Sequence, residues 1–339
     1  MGVCDEQGAA LEEPESCHML IKESKGGSHR RRQHMPTPLA PRSHLSKLPP
    51  KDAFNDMMFV VGGWTQTNPS CLVEQFCPEY NEWRTAARMV NSRGNVAVGT
   101  LDGKIYTVGG EDNIRCYSSV ERYNPDTDSW STDVVPLSSP RSGVCLVAMD
   151  GYLFAIGGHD GIAAINSVER YDPKMNTWSK QTAMLTRRTR AVAAVLEGHL
   201  YVMGGNDGDT VLNSVERYNP VDGTWSICAH MLSPRENAGC AVYLGHIYVA
   251  GGKDELSLEL CGAERFNPDT MRWTPVKRMK SKRDNMSLVV FNGTLMAVGG
   301  SDGVTNLKTI EAYSHETNTW RHFGSTKSKH PGGRVAVLC

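Results

Sequence analysis

The sequence of 339 residues lacks the features that would assign it directly to several common classes of protein. No segment approaches the ~18–20 consecutive apolar residues that a membrane-spanning helix needs. The 36 Lys and Arg residues are balanced by 37 Asp and Glu, which leaves a net charge of −1 and no general basic surface. We therefore expect neither a membrane partner nor a nucleic-acid partner.

The ten cysteines include no C-x-x-C pair, and no histidine stands at zinc-finger spacing from them. Scattered single cysteines are typical of free thiols in a reducing compartment. Residues 1–10 also lack the basic start and apolar stretch of a secretory signal. The sequence thus predicts a cytoplasmic protein with no metal site and no cofactor, while the basic run at residues 29–32 leaves a nuclear location open.

Catalytic signatures are missing as well. The sequence contains no H-E-x-x-H, no G-x-S-x-G, no Walker loop and no G-x-G-x-x-G after a predicted strand. The eleven histidines are dispersed along the chain. We therefore predict that the protein has no catalytic residues and is not an enzyme.

What the sequence does contain is one unit repeated six times. Six Gly-Gly pairs recur at intervals of 47 or 48 residues, and a tryptophan follows the second glycine of each pair by 20 or 21 residues. An aromatic residue stands seven positions before each tryptophan, and a glutamate stands two positions before that aromatic. The pairs begin at Gly62, Gly109, Gly157, Gly204, Gly251 and Gly299, and the tryptophans are Trp83, Trp130, Trp178, Trp225, Trp273 and Trp320.

Each repeat is predicted to form four short β-strands. Dipeptides such as Asp102-Gly103 and Asn292-Gly293 suit the two-residue turns that join antiparallel strands. One sheet of such short strands is not stable alone, so the repeats must stack on one another. Long runs with a helical period are absent. The pattern predicts an all-β fold, a six-bladed β-propeller with four strands in each blade.

The two ends of the propeller are predicted to meet in one blade. The first repeat lacks its first strand, because residues 56–58 run directly into residues 59–63. The chain ends with residues 333–338, which we align with residues 94–99 of the missing type. The C-terminal strand is therefore expected to complete the first blade and to remove two exposed sheet edges.

The repeat resembles the kelch repeat of the kelch-like family. The resemblance rests on Ser-Val-Glu-Arg-Tyr-Asn/Asp-Pro at 119, 167 and 214 and on Gly-Gly-x-Asp-Gly at 157, 204 and 299, and it covers about residues 57–339. In that family a BTB domain and a helical BACK domain usually precede the propeller, and the whole protein is a substrate receptor of a cullin-based ubiquitin ligase. Residues 1–56 are too few for a BTB domain, so we expect a cullin ligase to be reached only through another subunit. We predict that residues 1–56 form a flexible leader, with a remnant of a BACK helix around residues 17–25 as one alternative.

The resemblance also implies a binding site, since kelch-like propellers bind partner peptides over one mouth of the central channel. Their contacts come from the residue after each Gly pair and from residues that follow a recurring arginine before the first strand. Carried over by position, the first set is Trp64, Glu111, His159, Asn206, Lys253 and Ser301. The second set is Asn95, Ser142, Thr189, Arg190, Glu236, Asn237, Asp284, Asn285 and, from the closing strand, Arg334. Gly332 is aligned with the place of a sixth arginine.

Repeated residues and unrepeated ones are interpreted differently. The recurring Trp, Glu and Arg are predicted to be structural, because a catalytic or contact group is not needed at every repeat. Trp64 is the one tryptophan outside the register, and we interpret it as a partner contact, with packing within its own loop as the alternative. The carried-over residues include three cations and three anions, so they do not favour an acidic peptide as the ligand.

We therefore predict a non-catalytic protein-binding module that resembles the substrate-recognition domain of ubiquitin ligase adaptors. Two alternatives remain. Other kelch proteins bind actin, which would associate the protein with the cytoskeleton. A propeller enzyme such as a copper oxidase would need a cluster of Tyr, His and thiol groups around a metal at the channel mouth.

Overall fold

The computed structural model describes residues 56–339, which form 24 β-strands in six four-stranded antiparallel sheets. Each sheet is one blade, and the innermost strand of every blade contacts the innermost strands of both neighbouring blades, so that the ring is closed. The six-bladed propeller predicted from the repeat is confirmed. The predicted leader lies, apart from Asp56, outside the described residues.

Blades are numbered in chain order, and their strands have the following bounds. Blade 1 contains β1 (Met57–Val61), β2 (Val73–Cys77) and β3 (Glu82–Thr85); blade 2 contains β4 (Ala97–Leu101), β5 (Lys104–Val108), β6 (Val120–Asn124) and β7 (Ser129–Ser131). Blade 3 contains β8 (Cys145–Met149), β9 (Tyr152–Ile156), β10 (Val168–Asp172) and β11 (Thr177–Gln181); blade 4 contains β12 (Val192–Leu196), β13 (His199–Met203), β14 (Val215–Asn219) and β15 (Thr224–Cys228). Blade 5 contains β16 (Gly239–Tyr243), β17 (His246–Ala250), β18 (Ala263–Asn267) and β19 (Arg272–Val276); blade 6 contains β20 (Ser287–Phe291), β21 (Thr294–Val298), β22 (Thr309–Ser314) and β23 (Thr319–Ser325). The last strand, β24 (Arg334–Leu338), is the fourth strand of blade 1.

The core lies between the blades. The second strand of each blade, such as β9, is buried along nearly its whole length because a neighbouring blade covers each of its faces. This explains why these strands are continuous apolar runs rather than alternating sequences. The outermost strand of a blade, such as β11, is largely exposed.

The recurring tryptophans tie neighbouring blades together, as predicted. Trp178 packs on Tyr171 of its own blade with ring centroids 5.1 Å apart. Its Nε1 donates a hydrogen bond of 3.0 Å to the carbonyl oxygen of Val135, in the segment that leads out of blade 2. The indole therefore fills apolar space and also satisfies a backbone acceptor between two blades.

The Gly-Gly pairs lie where two blades approach most closely. Gly109 and Gly110 have φ values of 65° and 92°, in the region that favours glycine. A Cβ atom on Gly109 would also lie only 2.2 Å from the carbonyl oxygen of Arg141 in blade 3. A larger residue at this position would force the two blades apart.

The C-terminal strand closes the ring, but in a different register from the predicted one. β24 pairs antiparallel with β1, and Val61 lies opposite Arg334. The equivalent pair in blade 2 joins Val108 to Ala97, so Arg334 corresponds to Ala97 and not to Asn95. The predicted alignment was therefore wrong by two residues. A shift of two keeps every side chain on the same face of the sheet, so the apolar pattern does not distinguish the two registers.

Candidate partner-binding face

Each blade brings two chain segments together at the same end of the channel. The residue after the Gly pair forms a backbone bridge with the residue that follows the recurring arginine. Reciprocal N–H···O bonds of 2.8–3.0 Å join these residues in blades 2 to 6. In blade 1, Trp64 donates its backbone N–H to Pro331. We call these twelve residues the mouth ring: Trp64 with Pro331, Gly94 with Glu111, Ser142 with His159, Thr189 with Asn206, Glu236 with Lys253, and Asp284 with Ser301.

A second circle of residues lies just inside the mouth ring. Backbone hydrogen bonds of 2.8–3.1 Å run from blade to blade through consecutive members of this circle, from Asn95 to Asn285. All six members have a positive φ, between 47° and 70°. We call them the inner ring: Asn95, Gly143, Arg190, Asn237, Asn285 and Gly332.

The two rings contain fourteen of the fifteen residues that the sequence analysis assigned to a binding site. These residues differ in how much of each side chain is exposed to solvent. Ser142, Thr189 and Asp284 are buried, whereas 46% of the Arg190 side chain is exposed. The structure thus brings these residues together, and their contact with a partner stays a prediction.

Arg334 is the residue that the structure places elsewhere. As the first residue of β24 it faces the central channel, at the level of Ala97 in blade 2 and Cys145 in blade 3. Its Nη1 donates a hydrogen bond of 3.0 Å to the carbonyl oxygen of Met286, and burial lowers the pKa of its guanidinium. Arg334 therefore belongs to the channel wall beneath the rings.

Five buried arginines fix the backbone of the mouth ring. In blade 2, Arg93 Nη1 donates to the carbonyl oxygens of Gly109 and Ser119, and Nη2 lies 2.8 Å from Glu121 Oε1. Glu121 in turn accepts hydrogen bonds from the backbone N–H of Val90 in the segment that enters the blade. The same ion pair occurs in four more blades: Arg141 with Glu169, Arg188 with Glu216, Arg235 with Glu264, and Arg283 with Glu311. These residues are structural, as predicted.

In blade 1 a histidine takes the place of the arginine. His330 Nδ1 lies 3.0 Å from the carbonyl oxygen of Gly62, and Nε2 lies 3.3 Å from Glu74 Oε2. Gly332 is two residues further on and belongs to the inner ring, so the prediction that it stands at the sixth arginine position was wrong. Burial works to raise the pKa of Glu74, but its contacts with His330 and Ser328 outweigh this and lower the pKa.

Trp64 lies across the mouth between two blades. Its indole occupies the space above Gly94 in blade 2, and it also approaches Gly332 of blade 1. Gly94 is the only residue of the mouth ring without a side chain, and this absence makes room for the indole. The aromatic ring is partly exposed, so Trp64 presents an apolar surface at the mouth.

The charged side chains of the mouth are concentrated in blades 4 to 6. Lys253 Nζ lies 3.6 Å from Glu259 Oε1 and 3.5 Å from Asp284 Oδ2. Arg190 Nη1 lies 3.6 Å from Glu236 Oε2. In blade 2, Asn95 Nδ2 donates to Glu111 Oε1. The three anions assigned from the sequence therefore all have a partner within the protein.

The structure adds a set of exposed residues that the sequence analysis missed. In blades 2 to 6 an aspartate two positions after the second glycine accepts a hydrogen bond from the backbone N–H two residues later. This turn holds one side chain outward at the tip of each loop, and Ile114, Ile162 and Val304 are each 91% exposed there. We call these residues the rim: Ile114, Ile162, Asp209, Leu256 and Val304. The recurring aspartate was the signal in the sequence that could have revealed them.

Two features of the described residues bear on other functions. Among residues 56–339, no group of three or more His, Cys, Asp and Glu is arranged to hold a metal ion. The same part of the chain contains no helix long and apolar enough to cross a membrane. The eight cysteines within it are all unpaired.

Comparison with known proteins gives the same repeat pattern. The Kelch motif model matches six consecutive stretches of the chain, at residues 52–90, 92–132, 140–185, 187–232, 234–280 and 282–326. An F-box/kelch-repeat protein of Arabidopsis thaliana is 36% identical over 78 residues, which are 22% of this chain and 16% of that protein. Kelch-like protein 23 of Mus musculus is 33% identical over 79 residues, 23% of this chain and 13% of the relative.

The fold is also found among solved structures. The structure of YjhT matches with a TM-score of 0.68 at 13% sequence identity, covering 78% of this chain and 97% of that one. At this identity the likeness concerns the fold alone. Six matched motifs that coincide with six four-stranded blades show that the chain belongs to the Kelch-repeat family, whose propellers are protein-interaction modules.

Proposed function

We propose that the protein binds a protein or peptide partner through the mouth ring, the inner ring and the rim, without catalysing a reaction on it. The observation that carries this proposal is that the backbone of the mouth is held in the same way in successive blades while its side chains vary. In blades 2 to 6, backbone bridges and buried Arg-Glu pairs fix the positions of the mouth residues, while the side chains at those positions differ from blade to blade. A rigid scaffold with varied surface side chains is the arrangement expected of a recognition surface.

Apolar side chains at the rim also support the proposal that this surface binds a partner. Ile114, Ile162, Leu256 and Val304 are between 73% and 91% exposed, on four of the six loops that surround the mouth. Together with Trp64 they offer apolar contact area around a polar centre. Exposed apolar surface of this kind is a feature of protein interaction sites.

We further propose that the bound partner is a substrate of a ubiquitin ligase. The support is the similarity to an F-box/kelch-repeat protein and to Kelch-like protein 23, of which this chain matches 16% and 13%. A cytoplasmic location, as predicted from the sequence, is part of this proposal.

A triple variant tests the binding surface. Trp64→Ala, Arg190→Ala and Lys253→Ala together are expected to abolish the capture of cellular partners in a proximity-labelling experiment, without changing the melting temperature. The matched control replaces an exposed aromatic and two exposed cations at the opposite end of the blades, Tyr80→Ala, Lys174→Ala and Arg272→Ala. This control should label the same proteins as the parent.

Two results would count against the proposal. If the mouth variant captures the same partners as the parent, the mouth is not the binding surface. If the captured proteins are cytoskeletal and the parent co-sediments with actin filaments, the actin-binding alternative replaces the ubiquitin ligase role.

A further inference from the structure

The inner ring is interrupted at blade 1. Its blade-to-blade backbone hydrogen bonds run through Asn95, Gly143, Arg190, Asn237 and Asn285. Among the described residues, no such bond joins Asn285 to Gly332 or Gly332 to Asn95. The ring of backbone hydrogen bonds is therefore interrupted where blade 6 meets blade 1.

A cavity lies at this interruption. Its volume is about 260 Å³, which is far more than one water molecule occupies. Trp64 forms an aromatic part of its wall, and Asp284 and Asn285 of blade 6 form a polar part. The other lining residues are Thr65, Gln66, Gly300, Ser301, Asn306, Pro331 and Gly332. Asp284 is thus the only ionisable side chain in the wall.

Two oxygen atoms in this wall lack hydrogen-bond donors. Asp284 is 8% exposed, and its Oδ1 has no partner within the described part of the chain. Asn285 Oδ1 is likewise buried and unpartnered. A buried acceptor without a donor costs free energy, and a ligand that donates to it recovers that cost. Both oxygens are themselves buried, so a ligand in the cavity with two hydrogen-bond donors satisfies them once the side chains rotate toward it.

The charges around Asp284 favour a cationic ligand. Lys253 Nζ is shared between Asp284 and Glu259, while Glu236 is paired with the more exposed Arg190. Burial raises the pKa of Asp284, and Glu236 and Glu259 reinforce the effect while Lys253 works against it. Asp284 is therefore a carboxylate whose negative charge the protein neutralises only in part.

Arg334 also interacts electrostatically with Asp284. It lies beneath the rings, where its guanidinium donates to the carbonyl oxygen of Met286. It is not a lining residue of this cavity. The cavity itself is left with one carboxylate and no cation.

We propose that this cavity receives an arginine side chain of the bound partner, an inference that rests on the proposed function. A guanidinium is planar and can stack on the indole of Trp64, as cations over aromatic rings do. It carries several donors in a fixed fork, which suits Asp284 Oδ1 together with Asn285 Oδ1. Side-chain rotations of the kind common on binding bring both oxygens to the ligand.

A random peptide library displayed on phage and selected against the full chain tests the proposal. We expect the selected peptides to share an arginine at one position. A synthetic peptide of that sequence should lose roughly tenfold or more in affinity when citrulline replaces the arginine, because citrulline keeps the shape and removes the charge. Asp284→Asn should weaken the arginine peptide by a similar factor and leave the citrulline peptide unaffected.

The matched control is Glu316→Gln, which removes one negative charge from an exposed turn at the opposite end of blade 6. It should bind the arginine peptide as the parent does. Melting temperatures of both variants establish that they are folded.

The outcomes separate this inference from the proposed function. Selected peptides that lose binding in the Trp64, Arg190 and Lys253 triple variant, but share no arginine or bind Asp284→Asn unchanged, would overturn the arginine site and leave the mouth as the binding surface. Peptides that bind the triple variant as well as the parent would contradict both.

Discussion

The indole of Trp64 occupies the position that a side chain on Gly94 would need. A Cβ atom built on Gly94 would lie 2.0 Å from Trp64 Nε1, although the two residues belong to different blades. The φ angle of Gly94 lies outside the left-handed region, so its backbone accepts alanine without strain. The contact with Trp64 is therefore the reason for a glycine at this position.

Gly94→Ala is expected to destabilise the protein by about 1–3 kcal/mol, because the added methyl group displaces the indole. In a Trp64→Ala background the same substitution should cost less than about 0.5 kcal/mol, the range of an unconstrained surface change. Urea unfolding of the four proteins measures the coupling. Equal costs in the two backgrounds would show that the indole does not lie over Gly94.

The closure of the ring makes a second prediction. Deletion of residues 334–339 removes β24 and exposes the edges of β1 in blade 1, so we expect cooperative unfolding to be lost. Deletion of Cys339 alone, which lies beyond β24, is the control and should unfold like the parent. A protein that lacks β24 but melts in one transition at the parent temperature would contradict the closure.

The buried ion pairs make a third prediction. Arg188→Ala leaves Glu216 buried without its partner, and the free energy of unfolding should fall by about 3–5 kcal/mol. Its neighbour Arg187 is exposed, and Arg187→Ala should change the stability by less than about 0.5 kcal/mol. Chemical denaturation of both variants measures the difference. Similar values would mean that the Arg188-Glu216 pair does not hold the blade together.

The lowered pKa of Glu74 predicts that the stability of the folded protein depends on pH. Its pKa is lower in the folded protein than its ordinary value of 4.5, so its carboxylate stabilises the folded state at pH values above 4.5. This contribution is lost as the pH falls through the lowered folded value. The parent should therefore be more stable than Glu74→Gln at pH 7, and the difference should shrink below pH 4.5. A difference that stays constant from pH 7 to pH 3 would show that the contacts of Glu74 with His330 and Ser328 do not lower its pKa.

Most of the fold could be predicted because the repeat fixes it many times over. Six copies of the Gly pair, the glutamate and the tryptophan each mark the same positions in a blade. Local chemistry is then sufficient to place the turns, as at Asp102-Gly103, where both residues have the expected positive φ. The structural roles of the recurring Arg and Glu followed from their repetition alone.

The closing blade was harder to predict because it is the one that departs from the repeat. Its arginine is replaced by His330, so the motif that would have set the register is absent. Without that motif, Gly333 and Val335 were matched to Gly94 and Val96, whereas the pairing of Val61 with Arg334 requires a shift of two residues. Strand alternation does not detect such a shift.

The candidate site was predicted in its position but not in its chemistry. The resemblance to kelch-like propellers, carried over by position, placed Asp284 and Trp64 at the mouth, yet it does not show that they share one cavity. That proximity arises from the meeting of blade 6 with blade 1, which are far apart in the sequence. The rim could have been found, because the aspartate that precedes each tip recurs in five repeats.

The bridges of the mouth ring have a consequence for the way such a protein diversifies. Because main-chain atoms make the bridges, a codon change at His159 or Asn206 alters what the mouth presents without removing the backbone bridges that join the two segments of the blade. At each of these positions the backbone serves the architecture, and the side chain is left for the proposed recognition. If the mouth binds a partner as proposed, a few point mutations there exchange one partner for another within an unchanged framework.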